Sequence, residues 1–284
     1  MAKVYVVTDS SAQLSEEEIK NNNIYIVPLD IVIDGEQYVD GVNITRDEFI
    51  SKMNSSKQLP TTSQPPLGSY TEIYEKIFAD DKDAQILSIH MTESLSGTIN
   101  AARQAAEIVN KDNITVVDSE YTDWGQTFQV LKAAQLAAEG KAIAEILPIL
   151  TEIREKTQLH MGVTTIENIL KGGRLGRLAG TISTLLNISV VLNLNDGKLE
   201  IAKRGRGKKI IDRYLEGVFE YISEHKDNIE MIGLSDCDNK DYCKQIVDRI
   251  KEVAPELNVP IRTTSPVIST HTGVGAFALI FYEK

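Results

Sequence analysis

Three times within the first 125 residues, a short apolar run stops at a cluster of aspartate, serine or threonine and a helical pattern follows. Lys3 to Thr8 stops at Asp9-Ser10-Ser11, Gln85 to His90 at a turn ending in Ser96-Gly97-Thr98, and Ile114 to Val117 at Asp118-Ser119-Glu120. Strands alternating with helices in this way need crossover connections, which predicts an α/β fold with a mainly parallel sheet. In such a sheet the carboxyl ends of the strands share one edge, so the three polar turns are expected to converge where ligands bind.

The middle turn carries the sharpest chemical signal. In Ile89 to Ala106, IHMTESLSGTINAARQAA, two small hydroxyls and a glycine stand where a strand becomes a helix. The first N–H groups of a helix lack internal partners and carry the positive end of its dipole, so a carboxylate or phosphate is stabilised there. The plainer alternative is that Ser96 and Thr98 only cap the helix.

The remaining punctuation is mostly local. Ser15 with Glu18, and Thr45 with Glu48, form capping boxes that start two helices. Ile24 to Ile33 reads as one apolar run turned by Asp34-Gly35. Pro60 to Pro66, PTTSQPP, cannot be helical and reads as a stiff loop displaying hydroxyls, with a helix from Leu67 to Phe78 after it. Two helices, Gly125 to Glu139 and Ala142 to Lys156, close the first unit, and Pro148 is expected to kink the second. From Leu159 the pattern changes. A strand at HMGVTT, a hairpin around Asp196-Gly197, a strand from Glu230 to Leu234 and a last strand from Phe277 to Tyr282 mix antiparallel pairing with helices at Lys208 to His225 and Lys240 to Val253. We therefore expect two domains, an N-terminal α/β unit over 1–157 and a C-terminal α+β unit over 158–284.

Composition excludes several functions. A net charge of -11 opposes broad nucleic-acid binding, which rewards concentrated Lys and Arg. Only Lys203 to Lys209, KRGRGKK, goes the other way; it reads first as a solvated helix start and second as a contact for a local anionic group, which leaves transient membrane-surface contact open. The opening MAKVYVVTDS lacks the pattern of a signal peptide and no stretch reaches the ~18 apolar residues of a membrane span, so a cytoplasmic protein is expected. Cys237 and Cys243 read as free thiols, and no histidine or carboxylate has the local spacing of a metal site.

Gly273, Gly275 and Ala278 have dinucleotide-fingerprint spacing but lack the helix and second strand that motif requires, so no such cofactor is expected. The stretch from Gly172 to Gly180 is no P-loop; its glycines fit a tight turn or close backbone contact, and Arg174 is the best placed to meet an anion. The alternative reading is a serine-dependent acyl hydrolase with Ser96 as nucleophile, His271 as base and Asp9 or Asp118 as orienter, although SLSGT lacks the first glycine of G-x-S-x-G.

Taken in order, VTDSSAQL, LPTTSQPPLGSY, ESLSGTINAARQAA, VVDSEYTDWGQ, KGGRLGRLAG and HTGVGAFAL resemble the DegV family of bacterial fatty-acid-binding proteins from Val4 to Leu279, within a unit of 3–282. The resemblance implies a non-enzymatic carrier that holds a long-chain fatty acid in a slot between two domains, with no other cofactor. It further implies that Thr62, Ser96 and His271 hold the carboxylate, with Ser63, Ser94, Gly97, Thr272, Arg174 and Arg204 as secondary candidates. The implied partner is a separate ATP-dependent fatty acid kinase, which makes an acyl phosphate for phospholipid synthesis. The tail is expected to lie between the domains against apolar residues of the second half. Two positions depart from the family pattern: Thr92-Glu93 replaces a serine pair, and Val274 stands where proline is common. A glutamate beside a bound carboxylate would repel it unless it turned away.

Overall fold

The computed structural model describes residues 2–174 and 188–284; Gly176, Arg177 and Gly180 of the glycine-arginine stretch lie outside them. Four strands, β1 (Val4–Asp9), β2 (Tyr25–Val27), β6 (Gln85–His90) and β7 (Ile114–Asp118), form a parallel sheet in the order β2-β1-β6-β7. Its register sets Thr8 beside Ile89 and His90 beside Asp118, so the three polar turns leave from one edge as expected. Helices α3 (Leu67–Asp80) and α4 (Thr98–Val109) cover one face, where Tyr70, Tyr74 and the α4 alanines pack on Val7 and Ile86. Helices α5 (Asp123–Ala138) and α6 (Ile143–Lys156) cover the other, burying Val130, Ala133 and Ile146 against Val6 and Leu87. Both capping boxes form, Ser15 with Glu18 before α1 (Glu16–Asn21) and Thr45 with Glu48 before α2 (Arg46–Ser55).

The run from Ile24 to Ile33 is not one strand. Pro28, which has no N–H to give a ladder, separates β2 from β3 (Asp30–Ile33), and the two enter different sheets. With β4 (Glu36–Val39) and β5 (Thr61–Ser63), β3 makes a third sheet in the order β4-β3-β5, which the sequence reading did not foresee. The centre of the proline-flanked loop is thus a short strand, because the extended geometry imposed before proline also suits pairing, here Ile31 with Thr62.

The second domain holds a six-stranded mixed sheet. β8 (Thr157–Val163), β9 (Ser189–Asn195), β10 (Lys198–Gly205), β11 (Ile229–Asp236), β12 (Ile261–Thr263) and β13 (Phe277–Glu283) lie in the order β10-β9-β8-β13-β11-β12. Asp196 and Gly197 form the β9–β10 turn with φ of 47° and 73°. Helices α8 (Lys209–His225) and α9 (Lys240–Val253) bury Leu215, Phe219, Ile246 and Ile250 on the outer face. The inner face packs on the three-stranded sheet, α2 and the start of α5, so Phe49, Trp124 and Phe128 share a core with Leu192 and Ile280. Two short helices, α7 (Glu167–Lys171) and α10 (Pro266–Thr272), complete the inner side. No helix among the described residues is long and apolar enough to cross a membrane.

A buried polar seam joins the two large sheets. Asp123, at the start of α5 with φ of 58°, accepts from Ser235 Oγ at 2.5 Å, Thr264 Oγ1 at 2.6 Å and the Trp124 N–H at 2.8 Å. Gln13 Nε2 donates to Ser235 Oγ at 3.0 Å, Arg46 donates to the Ala12 and Thr263 carbonyls, and Arg262 grips Glu18 with two bonds of 2.8 and 2.9 Å. Beside this seam Gly233 lies flat under the Trp124 indole, which an added Cβ would overlap. Gly233→Ala is therefore expected to cost about 1–3 kcal/mol, visible as a lower urea midpoint without change in the slope of the transition.

Candidate functional site

The turn after β6, the strand β5 with its flanking residues, the start of α5 and the inner face of the second sheet enclose a cavity of about 740 Å3, its mouth included. Its walls are apolar and come from both halves: Leu159, Met161, Leu194 and Leu199 from the six-stranded sheet, Leu29, Met91 and Leu95 from the first half. An apolar wall from the second half was expected; the share from the first half was not. Leu95, set between the two serines of SLSGT, was its visible signal in the sequence.

One end is polar. Thr62, Ser63, Ser96, Arg174, His271 and Thr272 all line this cavity, as does Gln64, whose side chain lies over Gly97 next to Ser96. Each arrives by a different route. Pairing of β5 with β3 fixes Thr62, and the turn into α4 presents Ser96. His271 is carried by the last turn of α10, a correction to the glycine turn expected there: Ser265 accepts from the Ile268 N–H as N-cap, Pro266 opens the helix, and Gly273, at φ 78°, ends it. Thr62 Oγ1 and His271 Nε2 are 3.1 Å apart. The Ser96 hydroxyl meets Thr98 Oγ1 at 2.7 Å and accepts a longer bond from the Thr98 N–H, 3.3 Å, so Ser96 faces the cavity while Thr98 is fully buried in the helix start. Arg174 reaches across, donating to the Gly172 carbonyl at 2.6 Å and the Leu95 carbonyl at 3.3 Å. Gly172 makes the close approach expected of these glycines: a Cβ there would overlap the His271 ring.

Three secondary candidates lie elsewhere. Ser94 is exposed and donates to the Gly197 carbonyl at the β9–β10 turn, Gly97 sits under the Gln64 side chain, and Arg204 is exposed on β10 outside the cavity lining. For Arg204 the reason is local: the register shifts between Ile201 and Lys203, and the strand beyond this bulge runs clear of the cavity.

The hydrolase triad is not assembled. His271 meets Thr62 rather than Ser96, and its Nδ1 has no partner among the described residues. Asp118 receives the N–H groups of Glu93 and Glu120. Asp9 belongs to a sealed chain instead: His90 Nδ1 lies 3.0 Å from Asp9 Oδ2, Ser88 Oγ 2.7 Å from His90 Nε2, and Tyr74 OH 2.7 Å from Ser88. Asp9, His90 and Ser88 are all fully buried, so this is a satisfied core network that braces the strand ends. Burial raises the Asp9 carboxyl, but His90, Ser11 and the Met91 N–H outweigh it and hold the group below its usual range.

The family model described as "Uncharacterised protein, DegV family" matches residues 3–284. The chain belongs to the DegV family. A DegV domain-containing protein of Listeria innocua is 42% identical over 283 residues, 99% of each chain. The crystal structure of DegV from Bacillus subtilis, described as a fatty acid binding protein, matches with a TM-score of 0.90 and 27% identity over 100% of both chains. A stearic acid-binding protein of Eubacterium ventriosum matches with a TM-score of 0.87 and 26% identity, covering 100% of this chain and 99% of that one.

Set in the DegV fold, the two departures from the family pattern fall outside the cavity. Glu93 turns outward to pair with Arg103 at 2.7 Å, with its side chain 53% exposed, and Val274 is 43% exposed. Neither lines the polar end.

Electrostatically, that end is primed for an anion. Burial lowers the His271 imidazole from 6.5 to about 4, and the nearby Arg174 guanidinium pushes the same way. An entering negative charge would offset both effects. Because the folded value lies below the unfolded one, the unfolded chain takes up the proton first. The stability from a neutral His271 is thus complete above pH 6.5 and is lost as pH falls toward 4. In an NMR titration of the ligand-free protein, His271 is expected to stay neutral through pH 5, and Arg174→Gln to raise its midpoint only in part, because burial remains. An ordinary midpoint of 6.5 in the native protein would refute this picture.

Proposed function

We propose that this chain binds a long-chain fatty acid, its carboxylate held by Thr62, Ser96 and His271 with Arg174 alongside and its tail lying on the apolar walls. The observation that carries this reading is a single cavity whose apolar interior ends at the Thr62–His271 pair and a guanidinium. Hydroxyls and a cation around one carboxylate make charge-assisted bonds, the strong kind. Ser63 and Thr272 stand close enough to assist, although the Thr272 hydroxyl already donates to the Ile268 carbonyl at 3.0 Å. Most of the affinity comes from the tail, at about 0.8 kcal/mol for each methylene buried. Relatives described as binding fatty acids, stearic acid among them, support the same ligand class.

The chain acts as a carrier rather than an enzyme: it keeps the tail out of water and offers the head group to a separate ATP-dependent kinase that forms the acyl phosphate. The polar end of the cavity is the logical place of transfer, because only the carboxylate needs to be reached.

Protein purified from a bacterial host is expected to carry fatty acid, detected by mass spectrometry of an organic extract. Thr62→Val combined with Ser96→Ala removes two donors while conserving volume, so it should leave the melting transition intact and strip most of the lipid. Lipid content unchanged by the double substitution would reject the head-group assignment.

A further inference from the structure

A second groove opens on the opposite face of the six-stranded sheet, away from the lipid cavity. Along β8 the side chains alternate, so Leu159 and Met161 line the cavity while Gln158 and His160 turn toward α8. The irregularity between Ile201 and Lys203 resets the alternation of β10, pairing Lys203 with Val191, whose side chain belongs to the core under α8. Lys203 therefore joins Gln158 and His160 on this side. From α8, Arg213, Tyr214, Gly217, Val218 and Tyr221 complete a groove of about 820 Å3, the open solvent at its mouth included.

Several features mark it as built for a ligand. Among the described residues none that lines it is acidic, in a chain of net charge -11, and neither Lys203 nor Arg213 has an ion-pair partner. The nearby Glu283 carboxylate is taken up by the Tyr221 hydroxyl. His160, 7% exposed, has no hydrogen-bond partner for Nε2 among the described residues. Its Nδ1 lies 3.0 Å from the Tyr214 hydroxyl. With the Asn193 amide nitrogen turned to the Leu159 and Leu192 carbonyls, 3.2 Å from each, that hydroxyl is left to donate to Nδ1, which assigns the ring proton to Nε2. Gly217 stands in the interior of a 17-residue helix, where glycine costs about 1 kcal/mol relative to alanine, yet a Cβ there would meet nothing within 4 Å. Gly217 is exposed, so the floor of the groove is open to solvent at this point.

We propose that this groove is a binding site for a small soluble phosphate monoester with an aryl or short alkyl body, the phosphate held between Lys203 and Arg213 and the body over Gly217 and Val218. Two cations suit a dianion, and the tyrosines wall a flat or narrow body. This site uses the first residue of the basic run, Lys203, and it stands independently of the fatty-acid reading because the sheet separates the two sites.

The test is calorimetric titration of the full-length protein with phenyl phosphate, with inorganic phosphate, benzyl alcohol and phosphatidylglycerol vesicles as separate arms. Saturable one-to-one binding of phenyl phosphate is expected, at least about tenfold tighter than either fragment. Gly217→Phe and the pair Lys203→Ala with Arg213→Ala should each abolish it while co-purified lipid stays unchanged. Gly217→Ala, expected to melt no lower than the native protein, controls for folding of the altered helix. Absence of saturable binding, equal binding by the double variant, or binding to vesicles that phenyl phosphate does not displace would overturn the proposal.

Discussion

The arrangement rests on one buried carboxylate. Asp123 sits at the amino end of the helix that backs the parallel sheet, yet its hydrogen-bond donors include Ser235 and Thr264 of the second domain. A carboxylate withdrawn from water is tolerated only when its oxygens are satisfied, and here burial raises the group while its partners lower it. That requirement ties the two large sheets to one relative position. The space between them, with turns on one side and β8 to β10 on the other, inherits a fixed width, which a rigid slot for a narrow ligand demands.

Within that frame the polar end is assembled from parts that are remote in the chain and locally unremarkable. Thr62 is one residue of a three-residue strand, Ser96 one of several hydroxyls before a helix, and His271 the penultimate residue of a seven-residue helix. None is activated on its own. Together they offer neutral donors beside a guanidinium, with no acidic residue among the described residues that line the cavity. The histidine meets a threonine through Nε2, and its Nδ1 has no partner among the described residues.

How much of this could be read in advance follows from the range of each interaction. Strand, polar turn and helix are local, so β1, β6, β7 and their shared edge were legible, as were both capping boxes and the Asp196-Gly197 hairpin. The third sheet was not, because its decisive signal is a single proline at position 28 that redirects the chain rather than merely interrupting it. Helix α10 was missed because seven residues, PVISTHT, are too few to show a period; only Ser265 and Pro266 announced it. Which hydroxyls face the cavity was legible only in part: the family motifs pointed to Thr62, Ser96 and His271, while Ser94 and Arg204 failed on turn geometry and a bulge that residue order does not reveal. The apolar walls are set by which sheet faces which, a long-range fact absent from any one segment.

One small contact between the domains has a mechanical consequence. The Gly197 carbonyl accepts from both Thr92, at 3.1 Å, and Ser94, and a Cβ on Gly197 would crowd the Thr92 hydroxyl. Leu194 and Leu199 hang from the same hairpin, while Met91 and Leu95 flank the same hydroxyls, so a single oxygen atom pins two opposing stretches of greasy wall. Any breathing motion wide enough to part these two stretches has to let go of that atom, whereas threading end-on would leave it undisturbed. The hairpin tip thereby discriminates between the two routes of entry.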